Sequence, residues 1–344
     1  MSTDYKVVSL GDDPWSEDLK SSILAFPHYK TARMWVENMN VIMEETPYYQ
    51  WLKSELDING SVWNGVLNNE YDIAKQYDNF KYLFQIAPNF VEHEIMSRTI
   101  DGRRHFFGPI CVKIENDGGI SIWDGMHRIS ILYALGYPVR FTICERQDKW
   151  QKIVNDLEQL YPTIMYQAIP HPDFEDWNYC NNDIKESCIS NIVEEHKIKS
   201  VLDLGSCHGH VLYTIRKLLS SAIGVEYSQT RYHILKLLFD KIGFTAYNDN
   251  FFNVVERHCD NVDCVFALAV LHHFSRENPI EKFEKLLDHI RRISNTLLYE
   301  LPEPDEEQYG WMYKDVDMHS LVQSRYETKT IIQMQNRKLV LLKG

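Results

Sequence analysis

Four residues in the middle of the chain have the types and spacing of a nucleotide-binding site. Asp203, Gly205 and Gly209 follow one apolar run, and Glu226 ends the next one. Glycines at the end of a strand allow a tight turn and a close approach of the backbone to a ligand. A carboxylate after the next strand can accept both hydroxyls of a ribose. Together the four residues indicate a site for a ribose-containing ligand.

The turn has the pattern D-x-G-x-x-x-G over residues 203–209. The dinucleotide-binding pattern is instead G-x-G-x-x-G, whose second glycine lets the backbone approach a pyrophosphate. Because this chain lacks that glycine, the pattern favours a ligand without a pyrophosphate.

Alternating strand and helix patterns place these residues in an α/β domain with a parallel sheet. A helix is predicted over 184–195, and a helix-like run over 211–219 follows the glycine turn. Strands are predicted near 200–204, 222–226, 243–247, 262–268 and 296–301, followed by a hairpin of 326–334 and 338–342.

Three stretches of this half resemble the S-adenosylmethionine-dependent methyltransferases with a Rossmann-like sheet. They are Asp-Leu-Gly-Ser-Cys-His-Gly at 203–209, Gly-Val-Glu at 224–226 and Val-Asp-Cys-Val-Phe-Ala-Leu-Ala-Val-Leu-His-His-Phe at 262–274. The resemblance covers about 183–344, and it implies a seven-stranded sheet with a reversed last strand. Cys207 departs from the pattern, because many members have a glycine there.

The resemblance implies S-adenosylmethionine as cofactor and assigns its binding residues. Asp249 and Asn250 match in position the polar residues that meet the adenine amino group in the family, and a carboxylate is an apt acceptor for that group. The full expected set is Asp203, Gly205, Ser206, Cys207, Gly209, Glu226, Tyr227, Asp249, Asn250 and Leu268.

Two histidines follow the fourth predicted strand, where the methyl acceptor is expected to approach. His273 is the first candidate for a general base and His272 the second, although both could merely line the pocket. Glu300, at the end of the fifth strand, is a second candidate base, or alternatively it could help to bind a divalent metal. The chain lacks the Asn/Asp-Pro-Pro-Tyr/Phe segment of the amino-group methyltransferases that it resembles, so an oxygen acceptor on a small molecule or glycan is expected. The acidic residues after Glu300 predict a solvated loop, and no metal site is predicted.

The first hundred residues are rich in aromatic side chains. Helical periodicity is present over 15–26, 31–43, 48–56 and 71–84. The aromatic residues are expected to be mainly core, with a stacking surface for a sugar or a base as the alternative. They are Tyr48, Tyr49, Trp51, Trp63, Tyr71, Tyr77, Phe80, Tyr82 and Phe84.

A second polar cluster, Asp124-Gly-Met-His-Arg128, lies between a predicted hairpin of 108–123 and a helix of 129–135. Backbone N–H groups at a helix start, with an arginine and a histidine, can bind an anion. Alternatively, Asp124 caps the helix and Arg128 ties down a loop. A strand over 138–143 and a helix over 147–160 follow.

This cluster resembles the ParB/sulfiredoxin-like fold over about 107–144. The resemblance implies that Asp124, Gly125, His127 and Arg128 bind the phosphates of a nucleotide, with ATP and magnesium as the possible ligand. Met126 stands where sulfiredoxins have a reactive cysteine, and the arginine-rich box of ParB partition proteins is absent. The predicted first domain is therefore an α+β ParB-like module.

Length, charge and cysteine content bound the whole protein. The 344 residues favour two domains, 1–170 and 183–344, joined by a segment with three prolines between Tyr161 and Pro172. A net charge of −13 disfavours nucleic acid, and seven cysteines without a C-x-x-C pair indicate neither a disulfide framework nor a zinc site. We expect a soluble cytoplasmic enzyme without a membrane partner.

The role of the first domain is left open between two alternatives. It could bind ATP and phosphorylate the same acceptor, or it could be a non-catalytic module for acceptor binding or for assembly of a homo-oligomer.

Overall fold

The computed structural model describes residues 6–63, 65–87, 98–100, 103–105, 110–180, 183–257, 261–302, 317–334 and 338–344. The chain divides into two compact units. The first consists of residues 1–152 and 171–175, and the second of 153–170 and 176–344. The proline-containing segment is therefore not a simple linker, since most of it belongs to the second unit.

The first unit combines helices with a small mixed sheet. Its helices are Pro14–Ala25, Pro27–Glu37, Pro47–Asn59, Glu70–Gln85 and Met126–Ala134, with a 3-10 helix at Met43–Glu45 and another at Pro172–Phe174; Asp148–Leu160 runs across the boundary between the units. Its strands are β1 (Lys6–Ser9), β2 (Arg98–Ile100), β3 (Arg103–His105), β4 (Cys111–Ile114), β5 (Ile120–Asp124) and β6 (Arg140–Arg146). The four-stranded sheet has the order β1-β6-β4-β5, and β2 pairs with β3.

Local sequence explains where these helices begin and end. The Asp13 carboxylate accepts a hydrogen bond from the Ser16 N–H at 2.8 Å, and Pro14 occupies the first helical turn. The helix predicted over 31–43 instead spans Pro27–Glu37, because Pro27 is a favourable first-turn residue and Asn38 is extended.

Most of the aromatic side chains form the core of the first unit, as predicted. Tyr77 and Phe80 are buried against Trp35, and the buried Tyr48 packs against Phe80. Trp63 and Tyr71 are exceptions to the core prediction, because both side chains are exposed.

The second unit is built on a large sheet that is mostly parallel. Its strands are β7 (Ser200–Leu204), β8 (Ser221–Val225), β9 (Thr245–Tyr247), β10 (Cys264–Leu268), β11 (Thr296–Leu301), β12 (Thr328–Gln333) and β13 (Lys338–Lys343). The order is β12-β13-β11-β10-β7-β8-β9, with β13 antiparallel to both of its neighbours. The predicted α/β class with a parallel-rich sheet is confirmed.

Helices connect and cover these strands. They are Asp183–Glu195, His210–Thr214, Gln229–Ile242, Phe251–Arg257, Leu271–Glu277, Ile280–Ile293 and Met318–Gln323, with a 3-10 helix at Arg216–Leu218. The predicted helical run of 211–219 is wrong in length, because the α-helix ends at Thr214 and a 3-10 turn follows. The central strands are buried on both faces by apolar residues: Leu202, Val265 and Leu297 lie on one face, and Val201, Cys264 and Leu298 on the other.

No helix in the described ranges is long and apolar enough to cross a membrane. The acidic residues 303–307 lie outside the described residues.

Candidate functional site

The strand order places a topological switch point between β7 and β10. From β7 the chain proceeds to β8 and β9 on one side, and later to β10 and β11 on the other. In open α/β sheets ligands bind beyond the carboxyl ends of the strands at such a point. The loop after β7 carries the predicted glycine turn, and the loop after β10 leads to the predicted histidines. The sheet therefore brings the two predicted segments to one edge.

These two loops touch each other at Gly205. Its φ is +77°, and a Cβ atom added there would lie 2.6 Å from Cγ2 of Val270, which precedes the helix Leu271–Glu277. Both the left-handed conformation and the contact require glycine. Gly209, with φ +82°, likewise has no room for a side chain, because Phe239 and Leu235 pack against it.

Two non-glycine residues at this edge adopt the left-handed conformation. Cys207 and Ala269 both have a φ of 54°, one on each loop. Such a conformation costs free energy for a residue with a Cβ, and it clusters at functional sites. Glycine would adopt the conformation of Cys207 without this cost.

The backbone of the glycine turn is already occupied by hydrogen bonds. The N–H groups of Gly205 and Ser206 both donate to the Val225 carbonyl at 2.9 Å. The Ser206 hydroxyl donates to the Asp203 carbonyl and accepts from the Val225 N–H. Ser206 therefore joins β7 to β8 through its side chain. A turn whose donors are used in this way is a poor cradle for a pyrophosphate, as its sequence pattern predicts.

Glu226 is fixed at the end of β8 by two backbone donors. Its Oε2 accepts from the Cys207 N–H at 2.9 Å, and its Oε1 accepts from the Ser228 N–H at 2.8 Å. Burial raises the pKa of Glu226, while these hydrogen bonds and Arg231 lower it. Each carboxylate oxygen has a further lone pair, so Glu226 can still accept hydroxyl groups from a ligand.

A buried charge cluster lies behind the turn. Burial raises the pKa of Asp203 to about 7, and Lys185 partly offsets this effect. The Nζ of Lys185 lies 2.6 Å from Oε2 of Glu300, and both side chains are largely buried. Glu300, predicted as a second base, is thus paired with a cation. Lys185 had no signal in the sequence, since it lies in a helix more than a hundred residues before its partner.

The two histidines occupy the first turn of the helix Leu271–Glu277. His272 is buried and His273 is exposed, with their ring centroids 4.0 Å apart. Burial lowers the pKa of His273, Glu277 raises it and the cationic Arg231 lowers it further. His273 is therefore the more accessible of the two for a substrate.

The predicted adenine-binding residues begin the helix Phe251–Arg257. Asp249 accepts from the Asn250 N–H at 2.6 Å and from the Asn253 side chain at 2.9 Å, and Asn250 accepts from the Phe252 N–H at 2.9 Å. Both side chains thus stabilise this helix start. Of the other predicted binding residues, Tyr227 is 78% exposed. Leu268 pairs with Glu300 at the ends of β10 and β11.

A second group of side chains covers the glycine turn and was missed by the sequence analysis. The Tyr161 hydroxyl accepts from Nε of Arg231 at 2.8 Å and lies 3.9 Å from Sγ of Cys207. The Tyr161 ring packs edge-on against His208, with 5.5 Å between the centroids. Burial raises the pKa of Cys207 to about 12, so its thiol is neutral at pH 7. Tyr161 looked like part of a linker, and only its tertiary contacts reveal this position.

In the first unit, the polar cluster spans the end of β5 and the first turn of the helix Met126–Ala134. The interpretation of Asp124 as the helix cap is wrong, because the N-cap is Gly125, with φ 98° and no side-chain cap. Asp124 accepts instead from Nη2 of Arg128 at 3.1 Å. The Nε2 of His127 lies 2.8 Å from the Tyr48 hydroxyl.

Comparison with known proteins gives only distant likenesses. No protein-family model and no curated protein matches the chain. Monomeric WbdD is similar at 18% identity with a TM-score of 0.48, over 56% of this chain and 48% of that one. A structure of the bifunctional kinase-methyltransferase WbdD gives 16% identity and a TM-score of 0.48, over 55% of this chain and 46% of that one. The chain thus spans about half the length of these structures.

A further likeness is to magnesium protoporphyrin IX methyltransferase from Synechocystis PCC 6803 with bound SAM. It has 12% identity and a TM-score of 0.36, over 47% of this chain and 79% of that one. All of these TM-scores are below 0.5, so the likenesses assign no function to the chain. The ParB/sulfiredoxin resemblance of the first unit stays a prediction.

Proposed function

We propose that the second unit is an S-adenosylmethionine-dependent methyltransferase that methylates a hydroxyl oxygen of a small molecule or sugar. The observation that carries this proposal is the position of Glu226. Two backbone N–H groups hold its carboxylate at the end of β8, beside the glycine turn at the switch point. A carboxylate fixed in this way suits the two hydroxyls of a ribose.

The charges at this edge suit a cationic cofactor. Three carboxyl groups, Asp203, Glu226 and Glu300, are buried there. The two neighbouring cations are Lys185, which pairs with Glu300, and Arg231, which lowers the pKa of Glu226. The sulfonium and amino groups of S-adenosylmethionine are positive, so binding would stabilise the ionised form of a carboxyl with a raised pKa. The occupied backbone donors of the turn disfavour the pyrophosphate of a dinucleotide.

The reaction needs alignment of the acceptor oxygen, the methyl carbon and the sulfur, together with removal of one proton. S-adenosylmethionine, held through its ribose by Glu226, would supply the methyl group to the acceptor oxygen and leave as a neutral thioether. The hydroxyl proton goes to a ring nitrogen of His273. Because His273 is exposed and its pKa is lowered, it is available at neutral pH as the neutral base.

Calorimetric titration of the full chain tests the cofactor assignment. We expect S-adenosylmethionine and S-adenosylhomocysteine to bind with one site each, and NAD to show no binding. Binding of NAD without binding of S-adenosylmethionine would refute the proposal. Transfer of a labelled methyl group to a panel of sugars and phenols then tests the acceptor class.

A further inference from the structure

The first unit contains a cavity of about 730 Å³ that lies beside the polar cluster. Its lining includes Trp51, Trp63 and Trp123, together with the two histidines His28 and His127. Volumes of about 300–1,000 Å³ are typical of small-molecule sites. The cavity therefore has the size and concave shape of a ligand pocket, and all of its lining belongs to one unit.

Two of the tryptophans are presented to solvent. Trp63 is 39% exposed and Trp123 is 64% exposed, although large aromatic side chains are usually buried more fully. Trp63 also has a φ of 52°, a left-handed conformation that is unfavourable for a bulky residue. Such strain at the rim of a cavity is a recognised feature of ligand sites. The turn holds an aromatic face where a flat or ring-shaped molecule can stack.

The two histidines in the lining of the cavity make it polar without adding charge. The rings of His28 and His127 pack edge-on at 4.8 Å, and His127 bonds to the Tyr48 hydroxyl. Burial lowers the pKa of His28 to about 3 and the pKa of His127 to about 4. Both imidazoles are therefore neutral at pH 7 and can each donate and accept hydrogen bonds.

Among the described residues, the charged side chains that line the cavity are Asp124 and Arg128, and their charges balance each other in an ion pair. Nη2 of Arg128 lies 3.1 Å from Oδ2 of Asp124, and Nη1 of Arg128 is buried without a hydrogen-bond partner. Lys113 lies over the Trp123 ring, 5.8 Å from its centroid, and is 3.6 Å from the Glu145 carboxylate. The lining of the cavity thus offers hydrogen-bond donors and acceptors but carries no net positive charge.

This balance decides between two classes of ligand. A nucleotide polyphosphate carries several negative charges and needs several cations or a bound metal ion. A pyranose has an apolar face for a tryptophan and hydroxyls for a carboxylate and an arginine.

We propose that this cavity binds one pyranose ring of a sugar or glycan, stacked on Trp63 and Trp123 and hydrogen-bonded by Asp124, Arg128 and His127. The proposal does not depend on the methyltransferase assignment, because none of these residues belongs to the second unit.

The test uses the full chain and the methyl pyranosides of glucose, galactose and mannose. Saturation-transfer difference NMR and calorimetry should show binding of at least one of them, with saturation of its ring protons. Trp63→Ala should weaken that binding at least tenfold. Tyr71→Ala is the matched control, because Tyr71 is an aromatic residue of the same unit that is 76% exposed and lies outside the cavity. It should leave the affinity unchanged.

Should Trp63→Ala fail to fold, Trp123→Ala provides the same comparison, because its exposed ring contributes little to the core. Absence of binding by all three pyranosides, or equal losses in the Trp63 and Tyr71 variants, would overturn the proposal. Binding of ATP with magnesium that is abolished by Arg128→Ala would overturn it in favour of a nucleotide site. Titration of the same samples with S-adenosylmethionine shows separately whether the second unit binds its cofactor.

Discussion

The two units use the same local device but surround it differently. In each, a left-handed glycine lies between a strand and the next helix and begins that helix without a side-chain cap: Gly125 directly after β5 in the first unit, and Gly209 at the end of the loop that follows β7 in the second. Around Gly209 lie several buried carboxylates, whereas the cavity beside Gly125 contains neutral histidines and one compensated ion pair. The same turn can therefore support a cationic ligand in one place and a neutral ligand in another. The surrounding charges distinguish the two sites.

The largest expected effect concerns the geometry of the turn in the second unit. Gly205→Val should abolish S-adenosylmethionine binding, because the new side chain would collide with Val270. Gly243→Val is the control, since Gly243 has the same φ of +77° but no heavy atom within 4 Å of its added Cβ. Calorimetry should show loss of binding in the first variant and a near-normal affinity in the second. Loss of S-adenosylmethionine binding in both variants would show that backbone strain, and not the contact with Val270, abolishes binding. Normal affinity in both variants would show that the glycine at position 205 is not needed.

The next effect tests the proposed base. His273→Ala should lower kcat by about 10²–10⁴-fold with little change in cofactor affinity. His233→Ala, which removes a histidine on the helix Gln229–Ile242, should leave kcat unchanged. Since the pKa of His273 lies below its ordinary value of 6.5, the wild-type rate should rise with pH below 6.5 and be flat above it. Full activity and an unchanged pH profile in His273→Ala would leave His272 or Glu300 as the base.

The third effect concerns the free energy of unfolding that is lost because the Asp203 carboxyl group is buried. The raised pKa of Asp203 means that the folded protein binds more protons than the unfolded chain between about pH 4 and pH 7. Its contribution to the free energy of unfolding therefore falls as pH rises through this range. Asp203→Asn should stabilise the protein without cofactor at pH 8 by roughly 2–4 kcal/mol and have little effect at pH 4. Chemical denaturation at both pH values measures this difference, and a destabilised variant at pH 8 would contradict it.

The smallest effect concerns the ribose carboxylate. Glu226→Ala should weaken S-adenosylmethionine binding by about 1.5–3 kcal/mol, through loss of charged hydrogen bonds. Glu226→Gln keeps one acceptor for the Cys207 or Ser228 N–H and should lose less. Calorimetry on both variants separates the roles of charge and shape. Wild-type affinity in Glu226→Ala would remove the main observation behind the proposed cofactor.

Much of the second unit could be predicted because its signals are local. Apolar runs of strand length mark β7, β8, β10 and β11, and Gly205 and Gly209 mark the turn after β7. These features depend on periodicity and on backbone conformation, which neighbouring residues largely determine.

The partners across the site could not be predicted, because they depend on tertiary contacts. Lys185 reaches Glu300 from a different helix, and Tyr161 reaches Arg231 from a segment that resembled a linker. The hydrogen bonds of the Ser206 hydroxyl to the backbone of β7 and β8 also could not be predicted. In the first unit, the helix start was placed three residues late, since Gly125 rather than a side chain begins that helix.

The path of the chain affects the order in which the protein can fold during synthesis. Residues 171–175 belong to the first unit, where the His171 ring bonds to the Gly118 carbonyl and Asp173 bonds to Arg146 and Trp150. Residues 153–170, made earlier, belong to the second unit. When residue 175 leaves the ribosome, the first unit is complete. Residues 153–170 of the second unit have then already emerged, and they remain without their packing partners until the strands of the large sheet are synthesised. If the gene were divided at any single position to express the two units separately, at least one unit would lack a segment that it needs.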